Sequence, residues 1–406
     1  MLKQLHTLDE IPSIKISNQL LGELRPYQKL GVDWLAFLRQ FGFGACLADD
    51  MGLGKTIQLI AYLAYLLHVK NNHLSKEPAL IICPTTVLGN WQRELEKFAP
   101  SLNVVLHYGP NRPKEAAFSQ SIQNADVVLT SYGLTHLDYD EFSTVNWGTI
   151  ALDEAQNIKN AETKQSRAIR KLTGVHHIAL TGTPMENRLA ELWSIFDFIN
   201  HGYLGTFSQF QKKYISPIEK DNSERKIKEL QRLIKPFLLR RTKRDPEVEL
   251  NLPEKLEQKE YCALTAEQAA LYEDLVQETF SKIETLSFFE RKGLILQMLN
   301  RLKQLCNHPA LYLKEAQPEN VLDRSNKIKT LVGLADSIVE RGEAGIIFTQ
   351  YIQMGEMIRQ LLQERFSIEV PFLNGSMPKA KRDEFVARTN LWPVFKQVNI
   401  LSFYYP

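Results

Sequence analysis

Asp49-Asp50-Met51-Gly52-Leu53-Gly54-Lys55-Thr56 follows the short apolar run 43–47 and precedes an apolar, helix-like stretch at 57–67. That is the strand–loop–helix setting a phosphate-cradling loop requires. Glycines at 52 and 54 let backbone N–H groups approach phosphate oxygens without a Cβ in the way, and the positive end of the following helix dipole favours an anion. On this reading Asp50 to Thr56 hold a nucleotide. Lys55 reaches the β- and γ-phosphates, and Thr56 offers a hydroxyl to Mg²⁺, a hard cation that keeps several waters and prefers oxygen ligands. The general pattern has glycine five residues before the second glycine; Asp49 stands there instead, so the loop reads as a variant cradle. Taken alone it is also compatible with a glycine turn capping a helix that carries a surface lysine.

A second element narrows the choice. Thr149-Ile150-Ala151-Leu152 reads as a buried strand, with Asp153-Glu154-Ala155-Gln156 at its carboxyl end, where open α/β sheets place their ligands. Phosphoryl transfer to water needs a carboxylate that holds the metal and a group that orients the attacking water. Adjacent acids suit Asp153 for Mg²⁺ and Glu154 for water activation. By itself Asp153 is also a reasonable helix N-cap; beside Lys55 and Thr56 the site reading is preferred.

The order of motifs resembles the Swi/Snf family of helicase-like, DNA-translocating ATPases of helicase superfamily two, of the bacterial kind, from about Leu24 to Arg388. The resemblance rests on Leu24-Arg25-Pro26-Tyr27-Gln28, on the Asp-Asp-Met-Gly-Leu-Gly-Lys-Thr loop, on Cys83-Pro84-Thr85-Thr86-Val87-Leu88-Gly89-Asn90-Trp91, on Thr130-Ser131-Tyr132, and on Leu180-Thr181-Gly182-Thr183-Pro184-Met185-Glu186-Asn187. It implies that Gln28 reads adenine, that Thr85, Thr86, Asn90, Trp91, Thr130 and Ser131 lie against DNA, and that Gln156 with Thr181, Gly182 and Thr183 couples ATP state to DNA grip. Read physically, the last two segments follow β-rich runs and end in small residues whose amides suit a phosphate; singly, each is equally an ordinary strand-ending turn.

The formal charge of +2 does not announce nucleic acid, so any DNA surface has to be local. Lys159, Lys164, Arg167, Arg170 and Lys171 read best as a solvated helix face. Arg240-Arg241-Thr242-Lys243-Arg244 resembles a family element, which makes Arg240, Arg241 and Lys243 candidates for DNA contact, with structural anchoring an equal alternative. Double-stranded DNA, and beyond it a DNA-bound protein, are the expected partners.

Composition is ordinary for a globular chain: 406 residues, 44% hydrophobic and 24% charged. No apolar run approaches the roughly 20 residues of a membrane span. Cys46, Cys83, Cys262 and Cys306 are isolated from one another, which argues against a zinc site and for a reducing interior. His308, before a proline, reads as a turn residue. The expected setting is the bacterial cytoplasm, in association with the nucleoid.

The expected fold class is α/β: a lead-in at 1–23, a P-loop, RecA-like parallel-sheet lobe at 24–200, a helical protrusion and linker region at 201–324, and a partial second RecA-like lobe at 325–406. Strand candidates at 43–47, 79–83, 104–107, 126–130, 149–152 and 177–181 alternate with helical stretches, which predicts right-handed crossovers. Thr265-Ala266-Glu267-Gln268 is a capping-box start to a long helical region reaching Leu305. In the second lobe 345–350 and 370–376 read as strands. After Arg388 the tail 389–406 departs from the family pattern, and the arginine-bearing motif of the second lobe has no match, so the sequence reads as truncated.

Three functions follow: an ATP-dependent double-stranded DNA translocase that hydrolyses ATP to ADP and phosphate; a nucleotide- and DNA-binding remnant with little turnover; or another P-loop NTPase. The third does not account for the 240–244 cluster or the Thr-Gly-Thr-Pro segment.

Overall fold

Runs rich in Val, Ile, Leu and Ala, too short for helices and bounded by polar turns, become strands, the central ones buried on both faces. In the computed structural model seven of them form one parallel sheet: β1 (Ala45–Leu47), β2 (Ala79–Cys83), β3 (Val104–Leu106), β4 (Val127–Ser131), β5 (Thr149–Asp153), β6 (His177–Leu180) and β7 (Leu238–Leu239). Their order is β3-β4-β2-β5-β6-β1-β7, and every pairing is parallel. The structure describes residues 11–16, 18–72, 77–185, 188–248, 256–283, 286–343, 345–375, 377, 381 and 398–402. The chain divides into two units, Met1–Pro253 and Glu254–Pro406.

All six strands expected in the first unit are present. The seventh, β7, is two residues long and has no counterpart among the strand candidates. It pairs with β1, Cys46 opposite Leu238 and Leu47 opposite Leu239, so β1 lies between β6 and β7. The core of this unit is continuous through the sheet and its helices, with Leu47, Ile81, Leu129, Ile150, Leu152 and Leu180 fully buried.

In the second unit Thr265 Oγ1 accepts from the Gln268 backbone (3.2 Å) and Gln268 Oε1 accepts from the Thr265 backbone (3.1 Å). This is the expected capping box, and it opens the helix Ala266–Ile283. A second helix runs from Phe288 to Asn307. His308 is a cap: its Nδ1 accepts from the Ala310 backbone at 3.1 Å. A smaller parallel sheet has the order β8 (Gly345–Thr349), β10 (Val398–Ser402), β9 (Phe372–Leu373). β10 falls in the tail 389–406, for which the sequence alone predicts no element, and it pairs in parallel with β8 on one side and β9 on the other. Glu186, Asn187, Ser376 and Arg388 lie outside the described residues.

Candidate active site

Parallel strands deliver the segments that follow them to one edge of the sheet. With β1 flanked by β6 and β7, the loop after β1 has 181–183 on one side and 240–243 on the other. The ladder continues past the strand ends: Ala48 N donates to Leu239 O (2.7 Å), Asp50 N to Arg241 O (2.9 Å), and Thr181 N to Leu47 O (3.1 Å). Gly52 and Gly54 adopt φ of +88° and +76°. The positive φ favours glycine at 54, and a Cβ there would stand 2.4 Å from Gln28 Nε2, so a side chain would have to displace that amide. Gln28 donates to Leu53 O (3.2 Å), and Tyr27 Oη donates to the same carbonyl (3.1 Å), tying the helix Pro26–Gln40 to the loop.

Lys55 opens the helix Lys55–Asn72, and its Nζ donates to Asp49 O (2.6 Å) and Asp50 O (3.3 Å). Burial lowers its pKa, opposed by the carboxylates of Glu154, Asp49, Asp153 and Asp50. Asp49, in the position where glycine is usual, is completely buried. Its carboxylate accepts from Arg241 N (3.1 Å), Nε (2.9 Å) and Nη2, and from Gln58 Nε2 (3.2 Å). Arg241 also donates to Gln58 Oε1 (2.9 Å) and to Tyr27 O. Asp49 is therefore the anchor of the loop base, and the glycine that pattern lacks has been replaced by an ion pair.

The acidic pair is built as tightly. Asp153 Oδ2 accepts from Trp91 Nε1 (2.8 Å), and Oδ1 accepts from Glu154 N (3.0 Å). Tyr132 Oη donates to Asp153 O (2.7 Å). Burial pushes the Asp153 carboxyl up to about 6; the Trp91 hydrogen bond opposes this and the Glu154 charge adds to it. Glu154 has left-handed φ and ψ of 51° and 57°, a conformation of the kind that concentrates at functional sites. Its Oε2 accepts from Gln156 Nε2 (2.7 Å), Gln156 Oε1 accepts from Thr181 Oγ1 (2.9 Å), and Thr181 Oγ1 accepts from Thr183 N (3.0 Å). Gly182 faces the loop: a Cβ on it would lie 3.1 Å from Met51 Cγ. Glu154, Gln156, Thr181 and Thr183 thus form one hydrogen-bonded chain beside the loop.

Four residues expected on DNA turn inward. Trp91 is 1% exposed and holds Asp153. Thr130, fully buried, donates to His107 O (3.1 Å), Ser131 is buried at the end of β4, and Arg241 is buried on Asp49. Two of these enclosed side chains, Trp91 and Arg241, are hydrogen-bonded to the carboxylates of Asp153 and Asp49. Thr85, Thr86, Asn90, Arg240 and Lys243 are exposed. The sequence reading did not single out Gln58, nor the roles of Trp91 and Tyr132 as donors to the acidic strand end; an aromatic donor soon after β2 and after β4 was the available signal.

Among the described residues no group of three or more His, Cys, Asp or Glu could hold a metal. Mg²⁺ does not need one, since it is bound through one or two carboxylates, waters and phosphate oxygens, and Asp153 with Thr56 fits that donor set. The raised Asp153 pKa has a consequence for stability. The folded value lies above the unfolded one, so the cost of ionised Asp153 is absent below about pH 4 and fully present above about pH 6. Asp153→Asn removes this cost but gives up one of the two acceptors that serve Trp91 Nε1 and Glu154 N, so its stability relative to wild type is expected to be about 1–2 kcal/mol more favourable at pH 7 than at pH 4, as read by urea denaturation at the two pH values.

Comparison with known proteins agrees with this architecture. The SNF2-related domain model matches residues 27–311. YwqA of Bacillus subtilis (strain 168), a candidate ATP-dependent helicase/translocase, is 61% identical over 96% of this chain and 42% of its own length. The TATA-binding protein-associated factor mot1 of Aspergillus fumigatus is 34% identical over 97% of this chain and 24% of its own. The chain thus spans less than half the length of these relatives. The Sulfolobus solfataricus SWI2/SNF2 ATPase core in complex with dsDNA superposes with a TM-score of 0.56 at 41% identity, covering 96% of this chain and 80% of that one. Among the described residues no helix is long and apolar enough to cross a membrane.

Proposed function

The chain belongs to the SNF2-related family, and on that premise we propose that it is an ATP-dependent double-stranded DNA translocase that hydrolyses ATP to ADP and phosphate. The observation that carries the proposal is the hydrogen-bonded chain from Glu154 through Gln156 to Thr181 and Thr183. It links a carboxylate suited to water activation to the Thr-Gly-Thr segment, as an ATP-driven motor requires.

The residues divide the work. Gln28 reads adenine, and its 3.4 Å contact with the Tyr27 hydroxyl is the weak one that a base replaces. Asp50 to Thr56 cradle the phosphates through their amides, and Lys55 exchanges its loop carbonyls for phosphate oxygens. Thr56 and Asp153 hold Mg²⁺, which when bound offsets charge on the transferred phosphoryl group. Glu154 accepts the proton of the attacking water. Thr85, Thr86, Asn90 and Arg240, with Lys243 beside the loop, are the exposed candidates for DNA contact, and a DNA-bound protein is the proposed target of the motion. The proposed setting is the cytoplasm, at the nucleoid.

ATP hydrolysis by the purified 406-residue chain, with and without duplex DNA, tests the proposal. Duplex is expected to stimulate turnover without strand separation, and the stimulation should fall steeply between low and physiological salt because phosphate contacts release counterions. Efficient unwinding of a forked duplex, or stimulation indifferent to salt, overturns it. Nucleotide binding without stimulated turnover favours a chain that binds nucleotide and DNA but does not move.

A further inference from the structure

We propose that Lys243 is a second phosphate-binding cation of the loop, held over Gly52 by the segment that follows β7. The inference rests on the reading of 50–56 as a nucleotide cradle and adds a ligand-binding residue from an element some 190 positions away in sequence.

Several independent contacts fix the backbone here. Asp50 N donates to Arg241 O (2.9 Å), and the Arg241 guanidinium is locked on buried Asp49. Lys243 N donates to Asp50 Oδ2 (3.1 Å). The next turn is closed by Asp245, whose carboxylate accepts from Thr242 N (2.6 Å) and Thr242 Oγ1 (2.8 Å). The main chain of Lys243 is thereby held against the loop from both sides.

Its side chain continues the approach. Nζ and Cε lie 3.5 Å and 3.6 Å from the position a Cβ on Gly52 would occupy. Gly52 is exposed, with φ of +88°, so its peptide groups are open to a ligand on the surface the ammonium overhangs. Lys55 stands three residues on at the helix start. Two ammonium groups on the same loop, one of them over the exposed Gly52, suit a multiply charged anion, and the class that fits is the polyphosphate of a nucleoside di- or triphosphate. A lysine serving only to solvate the surface has no need of an acidic neighbour holding its own amide. The same geometry turns Lys243 toward the loop, which is why nucleotide is favoured over DNA as its ligand.

The test is equilibrium binding of adenosine, AMP, ADP and ATP to the full chain and to Lys243→Gln, Lys243→Arg and Lys55→Ala. Lys243→Gln is expected to weaken ATP and ADP about tenfold while leaving adenosine unchanged, which also reports that the fold is intact. Lys243→Arg should restore most of the loss. Unchanged ADP and ATP affinity in Lys243→Gln, with Lys55→Ala impaired, overturns the proposal and spares the cradle. An equal loss for adenosine, or a loss confined to DNA affinity, also overturns it. If Lys55→Ala leaves ATP affinity unchanged, the cradle reading itself fails, and the Lys243 proposal fails with it.

Discussion

Glu154→Gln is expected to bind ATP with wild-type affinity and to hydrolyse it about 10²- to 10⁴-fold more slowly, the usual contribution of a positioned proton acceptor. The substitution is nearly isosteric, and the hydrogen bond that Glu154 Oε2 accepts from Gln156 Nε2 at 2.7 Å survives it, because a glutamine carbonyl accepts from the same donor. Asp153 keeps its bond from Trp91 and so keeps its place in the proposed Mg²⁺ site. What is lost is the basic oxygen. Steady-state phosphate release, paired with binding of a fluorescent nucleotide, separates the two effects. Near-normal turnover with normal binding would remove Glu154 from the chemistry and leave the coupling chain without its reactive end.

Those acids were legible in the sequence because the information is local. A strand, a carboxylate at its end and a glycine loop ahead of a helix each lie within about ten residues, and periodicity with turn chemistry is enough to read them. Thr181 beside Gln156 was legible only through the order of motifs. The direction in which side chains point was not legible. The resemblance places Trp91 against DNA, whereas the amphipathic helix Leu88–Phe98 brings its indole N–H to Asp153. Thr130 and Ser131 end a strand whose two faces are both covered. Least legible was the meaning of Asp49. Its partner is 192 positions away, and the two meet only because the two-residue strand β7 joins the edge of the sheet, a pairing too short to leave a pattern.

That ion pair carries the second large prediction. Breaking a buried pair by removing one partner costs about 3–5 kcal/mol, because the other charge stays behind uncompensated. Arg241→Ala should therefore destabilise the first unit by about that amount, leaving Asp49 enclosed with Gln58 Nε2 and the Arg241 amide as its remaining donors. Arg241→Lys should recover little, since a single ammonium does not span Asp49, Gln58 Oε1 and the Tyr27 carbonyl as the guanidinium does. Asp49→Gly, which restores the residue usual in such loops, should be destabilising for the mirror reason: Arg241 is then buried without its anion. The double variant Asp49→Gly with Arg241→Ala is expected to cost less than the sum of the two single changes by about 1–3 kcal/mol. Urea unfolding followed by tryptophan fluorescence reads this unit well, as Trp34, Trp91, Trp147 and Trp193 all lie in it. Strict additivity would mean that Asp49 and Arg241 act separately. The segment after β7 would then be held to the loop by its backbone ladder alone, and nucleotide affinity in the double variant should stay near that of the wild type. A coupled pair makes the opposite demand: the clamp that stabilises the fold also sets the loop, so stability and ATP affinity should fall together in the single variants.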